Sequence, residues 1–288
     1  MDLGVGLPST IPAATGADII TWAREADAAG FASVGTLDRV VYGNHETIPT
    51  LAAAAAVTSR VRLTTAILIA PYRGNGGLLA KQLATVDSFS GGRLTVGIAV
   101  GGRPDDYQAA GADFEGRGKT FDAQLGEFRE VWAGKSRGTA GAIGPAPVQP
   151  GGPPLLIGGT SKAAVRRAVQ HGAGWIAGGG GLPVFTQGAE QVRAAWAEAG
   201  REGEPRFASL AYYALGPDAT ALAEGYLHDY YAFAGPYASN IAAGALTTEA
   251  AIKDTIAGFT DAGCHELLLF PCSSDLTQLR LLADLTLG

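Results

Sequence analysis

The stretch VRLTTAILIAPYRGNGGLLAKQLATVDSFSGGRLTVGIAVGGRPDDYQAAG, residues 61 to 111, contains a complete strand–helix–strand unit. Val61 to Ile69 is largely apolar and β-branched, which is typical of a strand buried on both faces. Leu78 to Phe89 has apolar residues at helical spacing, and the glycine pair at 91 and 92 is a typical helix end. Leu94 to Val100 is a second buried strand. This order predicts a βαβ unit with a right-handed crossover.

Strands and helices alternate along the rest of the chain in the same way. The remaining strands are predicted at Leu3–Leu7, Phe31–Leu37, Leu155–Gly158, Gly174–Ala177, Phe207–Leu215 and Glu266–Pro271. No change in composition marks a domain boundary, so we expect a single α/β domain over residues 1–288. Because no GxGxxG motif follows the first strand, a closed barrel of parallel strands is favoured over an open doubly wound sheet.

The composition indicates a globular chain without a strongly charged partner. Apolar residues make up 47% of the chain and charged residues 17%, and the formal net charge is −6. No basic block is present, which argues against binding nucleic acid or an acidic membrane surface. No apolar run of about 18 residues and no signal-like start occur, so we expect a cytoplasmic protein.

Two cysteines flank the last predicted strand. Cys264 and Cys272 are separated by about 26 Å if the chain between them is extended. That separation is far beyond the reach of a disulfide, so two free thiols are expected.

Polar and glycine-rich segments follow the predicted strands, where a parallel barrel carries its functional groups. Gly158-Gly159-Thr160-Ser161-Lys162 is the best candidate for an anion site, because its glycines admit close approach and a helix begins there. An ordinary strand-to-helix turn with a Ser or Thr cap is the alternative. Only His45 and His228 of the four histidines fall in loops at this end, and no carboxylate is spaced to join them, so no metal site is expected.

The run LLAKQLATVDSFSGGRLTVGIAVG (78–101), followed by DDYQAAG (105–111), resembles the bacterial luciferase-like family of oxidoreductases. The resemblance implies a (β/α)8 TIM barrel with short insertions in its βα loops. It also implies an enzyme that uses FMN or the deazaflavin F420, acts on a small organic substrate and forms a homodimer. An FMNH2-dependent monooxygenase served by a separate flavin reductase is favoured. F420-dependent hydride transfer and a non-catalytic flavin-binding protein are the alternatives.

The same resemblance implies where the cofactor lies. The end of the third strand, Ile67, Leu68, Ile69 and Ala70, is expected to back the flavin ring and to contain a non-prolyl cis peptide bond. Later strand ends complete the expected cofactor site: Gly101, Gly158, Gly159, Thr160, Ser161, Trp175, Gly178 and Gly179.

Candidate catalytic residues follow the second strand, where the family commonly has Asp-His. This chain has Asp38-Arg39, so the role of that histidine cannot be carried over, and Arg39 and His45 are the candidates. Arg39 could stabilise negative charge on a reduced flavin, bind an anionic substrate, or simply contact Asp38.

Expected substrate contacts are Tyr72, Arg73, Arg103, Tyr107 and Tyr212. Many members of the family have Arg-His-Pro where this chain has Arg73-Gly74-Asn75, so these contacts differ from the usual set. A later aromatic cluster is either a wall of the substrate pocket, ordinary core or a dimer surface; its members are Tyr226, Tyr230, Tyr231, Phe233 and Tyr237.

Overall fold

Eight parallel strands close into a barrel in their order along the chain, in a computed structural model that describes residues 1–288. The strands are β1 (Asp2–Gly6), β2 (Ser33–Thr36), β3 (Arg62–Ile69), β4 (Leu94–Ala99), β5 (Leu155–Gly158), β6 (Gly174–Ala177), β7 (Arg206–Tyr213) and β8 (Glu266–Pro271). All eight predicted strands are present, and their ends differ from the prediction by at most two residues. The predicted α/β barrel is therefore confirmed.

Helices surround the barrel and connect its strands. They are α1 (Gly16–Ala29), α2 (Thr47–Val57), α3 (Gly76–Ser90), α4 (Pro104–Ala109), α5 (Arg117–Trp132), α6 (Lys162–His171), α7 (Gly181–Glu198), α8 (Ala219–Tyr230), α9 (Tyr237–Ala243), α10 (Glu249–Asp261) and α11 (Leu276–Thr286). In the β3–α3–β4 unit, the Asn75 side chain caps the start of α3, and Gly91 ends the helix with a φ of 65°. A left-handed residue at this position favours glycine.

Side chains alternate between two apolar regions because successive residues of a strand face opposite sides. Outward residues such as Leu63 and Ile98 pack against the helices. Inward residues of the last two strands, among them Leu210, Leu268 and Phe270, fill the barrel. β1 makes room for Phe270 with Gly6, where a Cβ atom would lie 2.2 Å from the Phe270 ring.

A buried carboxylate seals the amino-terminal end of the barrel. Glu266 is fully buried and accepts hydrogen bonds from Ser33 Oγ at 2.6 Å and from Arg206 Nη2 at 2.5 Å. Thr64 Oγ1 and Arg62 complete the group at 3.3 and 3.4 Å. The negative charge of Glu266 is compensated in spite of its burial, because these groups pair with it and donate hydrogen bonds to it. The amino-terminal end of the barrel is therefore closed by packed side chains.

The first and last strands pair directly and close the ring. Asp2 is in register with Glu266, and Val5 with Leu269. The Asp2 N–H also donates to the His265 carbonyl at 2.9 Å. Closure of the barrel therefore joins residues that are 264 positions apart in the chain.

The ladder between β3 and β4 is irregular where β3 approaches the open end. Its register shifts between Thr65 and Leu68. The cis peptide bond joins Ala66 to Ile67, one residue before the predicted range of Ile67 to Ala70. That expectation about its position was therefore wrong by one bond.

Cys264 and Cys272 are both buried and free, as predicted. Burial raises the pKa of the Cys272 thiol to about 12. None of the helices has the length and apolar character needed to cross a membrane.

Candidate active site

A cavity with two connected lobes opens at the carboxyl ends of the strands. Both lobes are lined by Ile67, Ile69, Gly101, Gly102 and Gly178. The glycine lobe, of about 350 Å3, is completed by Ala99, Val100, Gly158, Gly159, Thr160, Trp175, Ala177, Gly179 and Val184. The aromatic lobe, of about 240 Å3, is completed by Leu37, Asp38, Ala66, Arg103, Leu210, Tyr230, Tyr231 and Phe233. The two lobes thus meet along Ile67 and Ile69.

The glycine lobe presents bare backbone to its interior. A Cβ atom at Gly102 or Gly179 would meet nothing within 4 Å, whereas one at Gly158 would lie 2.8 Å from Ile67 Cδ1. Trp175 Nε1 donates to the Gly159 carbonyl at 2.8 Å and fixes the turn after β5. Side chains at these positions would occupy or distort the lobe, so the glycines keep it open.

Two helices begin beside the glycine lobe. The Ser161 hydroxyl accepts from Ala164 N–H at 3.2 Å and caps α6. α7 begins after Gly180, which provides no side-chain cap. The first amides of a helix lack partners and carry partial positive charge, so both helix starts can hold an anion. Lys162 stands at the first of them.

The aromatic lobe has a wall from the segment that follows β7. Tyr230 ends α8, Tyr231 follows it directly, and Phe233 lies in a short 3-10 turn. The Tyr230 and Tyr231 rings meet edge to face with centroids 4.9 Å apart. Of the interpretations left open for the aromatic cluster, these three residues line a pocket, Tyr226 is buried in the core, and Tyr237 is exposed.

Asp38 ties together the ends of β2 and β3. It is 3% exposed, and its Oδ2 accepts from Ile69 N–H at 2.8 Å and from the Tyr72 hydroxyl at 2.7 Å. Its Oδ1 accepts from Arg73 Nη2 at 2.8 Å. Arg103 Nη2 donates to the Asp38 carbonyl at 2.5 Å. Asp38 therefore positions the strand end that both lobes share.

Arg39 lies away from both lobes. Its guanidinium is buried, donates to the Tyr230 carbonyl at 2.7 Å and pairs with Asp105 at 3.3 Å. It also lies 5.0 to 5.5 Å from the ring centroids of Tyr42, Tyr230 and Phe233. This geometry places Arg39 behind the aromatic wall, and a contact of Arg39 with cofactor or substrate stays a prediction.

His45 also lies outside both lobes. It is half-buried in the loop before α2. Its backbone N–H donates to the Ser9 carbonyl at 2.9 Å, and its ring Nδ1 has no partner in the chain. Neither candidate catalytic residue lines the cavity.

The expected cofactor residues divide by strand face. Ile67 and Ile69 line the cavity, whereas Leu68 and Ala70 face the helices and are fully buried there. Gly101, Gly158, Gly159, Thr160, Trp175, Gly178 and Gly179 all line the glycine lobe. Ser161 instead caps α6 without lining the lobe.

Of the expected substrate contacts, only Arg103 lines the cavity. Tyr72 and Arg73 are bound to Asp38 behind it, and Arg73 also pairs with Glu46 at 2.5 Å. Tyr107 is 1% exposed and donates to the Val100 carbonyl at 2.5 Å. The Tyr212 hydroxyl is hydrogen-bonded to the Tyr231 hydroxyl at 2.7 Å. These four side chains support the cavity from outside.

Sequence reasoning missed several lining residues. Leu37 and Leu210 line the aromatic lobe but were not among the candidates. The sequence signal for Leu37 was its position directly after β2, where a parallel barrel carries its functional groups. The signal for Leu210, inside β7, was the alternation of strand faces.

Two curated relatives resemble the chain over part of its sequence. An uncharacterised protein of Mycobacterium tuberculosis is 31% identical in a 198-residue alignment that covers 56% of this chain and 65% of the relative. The FMNH2-dependent dimethylsulfone monooxygenase of Pseudomonas fluorescens is 28% identical over 188 residues, with coverage of 60% and 50%. The chain thus spans less than two thirds of the length of these curated relatives.

A solved structure reproduces the whole fold. An F420-dependent secondary alcohol dehydrogenase in complex with an F420–acetone adduct superposes with a TM-score of 0.82 at 18% identity, covering 99% of this chain and 97% of that chain. The sequence pattern of the luciferase-like monooxygenases matches residues 1–262. This chain therefore belongs to the luciferase-like monooxygenase family.

Proposed function

We propose that this chain is a flavin-dependent oxidoreductase, and that it acts as an FMNH2-dependent monooxygenase on a small organic substrate. The observation that carries the proposal is the division of the cavity into the glycine lobe, lined by bare backbone, and the aromatic lobe, with one wall that both share. A cofactor and a substrate that must meet need such an arrangement. Both lobes open at the end of the barrel where this fold carries its chemistry.

The residues of the glycine lobe fit FMN. Open space at Gly102 and Gly179 leaves room for a flat ring against Ile67 and Ile69. The Thr160 hydroxyl and the first amides of α6 and α7 would hold the phosphate, with Lys162 adding a positive charge. Reduced FMN supplies two electrons, so that one atom of O2 enters the substrate and the other leaves as water. The protein orients both molecules and excludes water.

The relatives support FMN as the cofactor. The dimethylsulfone monooxygenase, which is named for FMNH2, was matched through its sequence, whereas the F420 enzyme resembles this chain at 18% identity. An enzyme that uses free FMNH2 needs a supply of it, so a separate flavin reductase is the proposed partner. The homodimer stays a prediction, to be measured by sedimentation.

F420-dependent hydride transfer is the second candidate. Lys162, Arg166 and Arg167 are basic residues of α6, the helix that begins beside the glycine lobe, and positive charge on this helix suits the acidic tail of F420. Asp122 pairs with both arginines, at 3.4 Å from Arg166 and 2.7 Å from Arg167, and offsets part of this charge. The partial offset and the net charge of −6 favour FMN.

Titration of the purified protein with FMN, photoreduced FMN and F420, followed by fluorescence, tests the proposal. We expect reduced FMN to bind, and Thr160→Val to weaken it about tenfold through one lost charge-assisted hydrogen bond. Thr21→Val, on the far side of the barrel in α1, is the matched control and should change nothing. Tight binding of F420 with no binding of FMN would assign the second candidate. Binding of neither would refute the site.

A further inference from the structure

Five tyrosines surround the aromatic lobe, and one of them differs from the others. Tyr42 donates to Asp229, Tyr226 shares a hydrogen bond with Thr10 at 2.6 Å, and Tyr212 shares one with Tyr231 at 2.7 Å. The hydroxyl of the fifth, Tyr230, donates a hydrogen bond to no residue of the chain, although Tyr230 is only 2% exposed and lines the lobe. The phenolic proton of such a buried side chain needs an acceptor.

The Arg103 guanidinium lies beside the Tyr230 hydroxyl and donates a hydrogen bond to its oxygen. Arg103 is held in place by Asp106 Oδ2 at 2.9 Å and by the Asp38 carbonyl at 2.5 Å. Arginine has donors only, so it cannot accept the phenolic proton of Tyr230. Burial raises the pKa of Tyr230 and the charge of Arg103 opposes this only in part, so the proton stays on the oxygen at neutral pH. Tyr230 is therefore a donor in need of an acceptor.

The same lobe offers no free charge to a ligand. Arg103 pairs with Asp106 at 2.9 Å, and Arg39, behind the wall, pairs with Asp105 at 3.3 Å. Asp38, the acidic residue of the lining, is bound by Arg73 at 2.8 Å. The rest of the wall includes Leu37, Leu210 and Phe233. An ionised ligand would lose its water here without gaining a counter-charge, which is costly.

We propose that the aromatic lobe binds a neutral, largely apolar molecule that carries an acceptor oxygen such as a carbonyl, and that the Tyr230 hydroxyl donates the hydrogen bond that orients it. This inference rests on the proposed function in taking the aromatic lobe as the substrate side of the cavity. Tyr230 then acts as a positioning and specificity-determining residue, because it distinguishes ligands by one oxygen atom.

Binding of three matched probes to the cofactor-free protein tests the inference by ligand-observed NMR titration. The probes are acetophenone, which is neutral with an acceptor, ethylbenzene, which lacks the acceptor, and benzoate, which is charged. Wild-type protein should bind acetophenone more tightly than either of the others. Tyr230→Phe should weaken acetophenone about 2- to 10-fold, the effect of one hydrogen bond, and leave ethylbenzene unchanged.

Tyr226→Phe is the matched control, since its hydroxyl bonds to Thr10 and its ring lies outside the lining. It should lower the thermal midpoint through the lost internal bond and leave acetophenone binding unchanged. Tyr230→Phe should instead weaken acetophenone binding and leave the thermal midpoint unchanged. Equal acetophenone affinity in wild type and Tyr230→Phe, or a preference for benzoate, would overturn the inference.

A parallel FMN titration separates this inference from the proposed function. Tyr230→Phe should bind FMN as the wild type does. If it instead loses FMN affinity and keeps acetophenone affinity, the hydroxyl serves the cofactor and the inference fails. If wild-type protein binds no FMN and the three probes behave as stated, the proposed function fails and the ligand class stands.

Discussion

Replacing Asp38 by Asn should destabilise the protein strongly, because three donors converge on this buried carboxylate. Ile69 N–H and the Tyr72 hydroxyl donate to one oxygen, and Arg73 donates to the other. An asparagine of the same shape can keep the first two with its oxygen, but its NH2 group then faces the Arg73 guanidinium, donor against donor. The substitution therefore removes an ion pair and leaves a buried amide without a partner.

The magnitude follows from these two losses. A hydrogen bond to a charged group contributes about 1.5 to 3 kcal/mol, and a buried unsatisfied donor costs about 1 to 3 kcal/mol. Arg73 keeps Glu46 as a partner, which limits the loss in the free energy of unfolding. We expect the free energy of unfolding to fall by about 3 to 5 kcal/mol, the usual cost of breaking a buried pair. At about 2 °C per kcal/mol for a chain of this size, the thermal midpoint should fall by about 6 to 10 °C.

Urea unfolding followed by tryptophan fluorescence measures the change, with Glu25→Gln as the control. The Glu25 side chain is 43% exposed and pairs with exposed Arg280 at 3.7 Å, so its loss should cost at most about 1 kcal/mol. If Asp38→Asn is no less stable than Glu25→Gln, the convergence of donors on Asp38 does not stabilise the fold, and our account of how the β3 end is held is wrong.

Three further predictions concern the lobe, the core and pH. Gly102→Leu should weaken FMN binding about tenfold or more while the thermal midpoint stays unchanged, because a side chain there meets only open space; fluorescence titration and thermal melting check both. Gln278→Ala should cost about 2 to 4 kcal/mol in urea unfolding, since the Gln278 amide bonds both the N–H and the carbonyl of buried Leu215, at 2.7 and 2.8 Å. Burial lowers the pKa of His265 below 6.5, and its Nδ1 accepts from Phe207 N–H at 3.0 Å. The unfolded chain therefore binds more protons below pH 6.5, stability falls as the pH is lowered, and thermal melts of His265→Asn should show a weaker fall.

The barrel could be predicted from sequence because its signals are local. A strand buried on both faces appears in the sequence as a short apolar run, and the Gly-Gly pair after α3 indicates where that helix ends. Both patterns stand within a few residues of the feature they predict. The outline of the glycine lobe could be predicted for the same reason, since Gly158 ends β5 and Gly159 and Gly178 directly follow strands.

For the aromatic side of the cavity the sequence left a pocket wall, core and dimer surface open, because the arrangement depends on contacts between distant segments. Arg39 is neutralised by Asp105 and enclosed by Phe233, residues 66 and 194 positions further along the chain. Ile67 and Leu68 are equally apolar, so no property of either says which one faces the cavity. In the structure, Tyr230 and Phe233 enclose Arg39, and β3 turns Ile67 toward the cavity and Leu68 toward the helices.

The pairing of β1 with β8 has a consequence for synthesis of the protein. Asp2 leaves the ribosome 264 residues before its partner Glu266. At about 5 to 20 residues per second, one edge of β1 waits roughly 13 to 53 seconds for the strand that covers it. During that interval the growing sheet exposes a row of unpaired backbone groups, which are a template for pairing with other chains. Molecular chaperones that shield such edges are therefore of most use to this protein before β8 emerges.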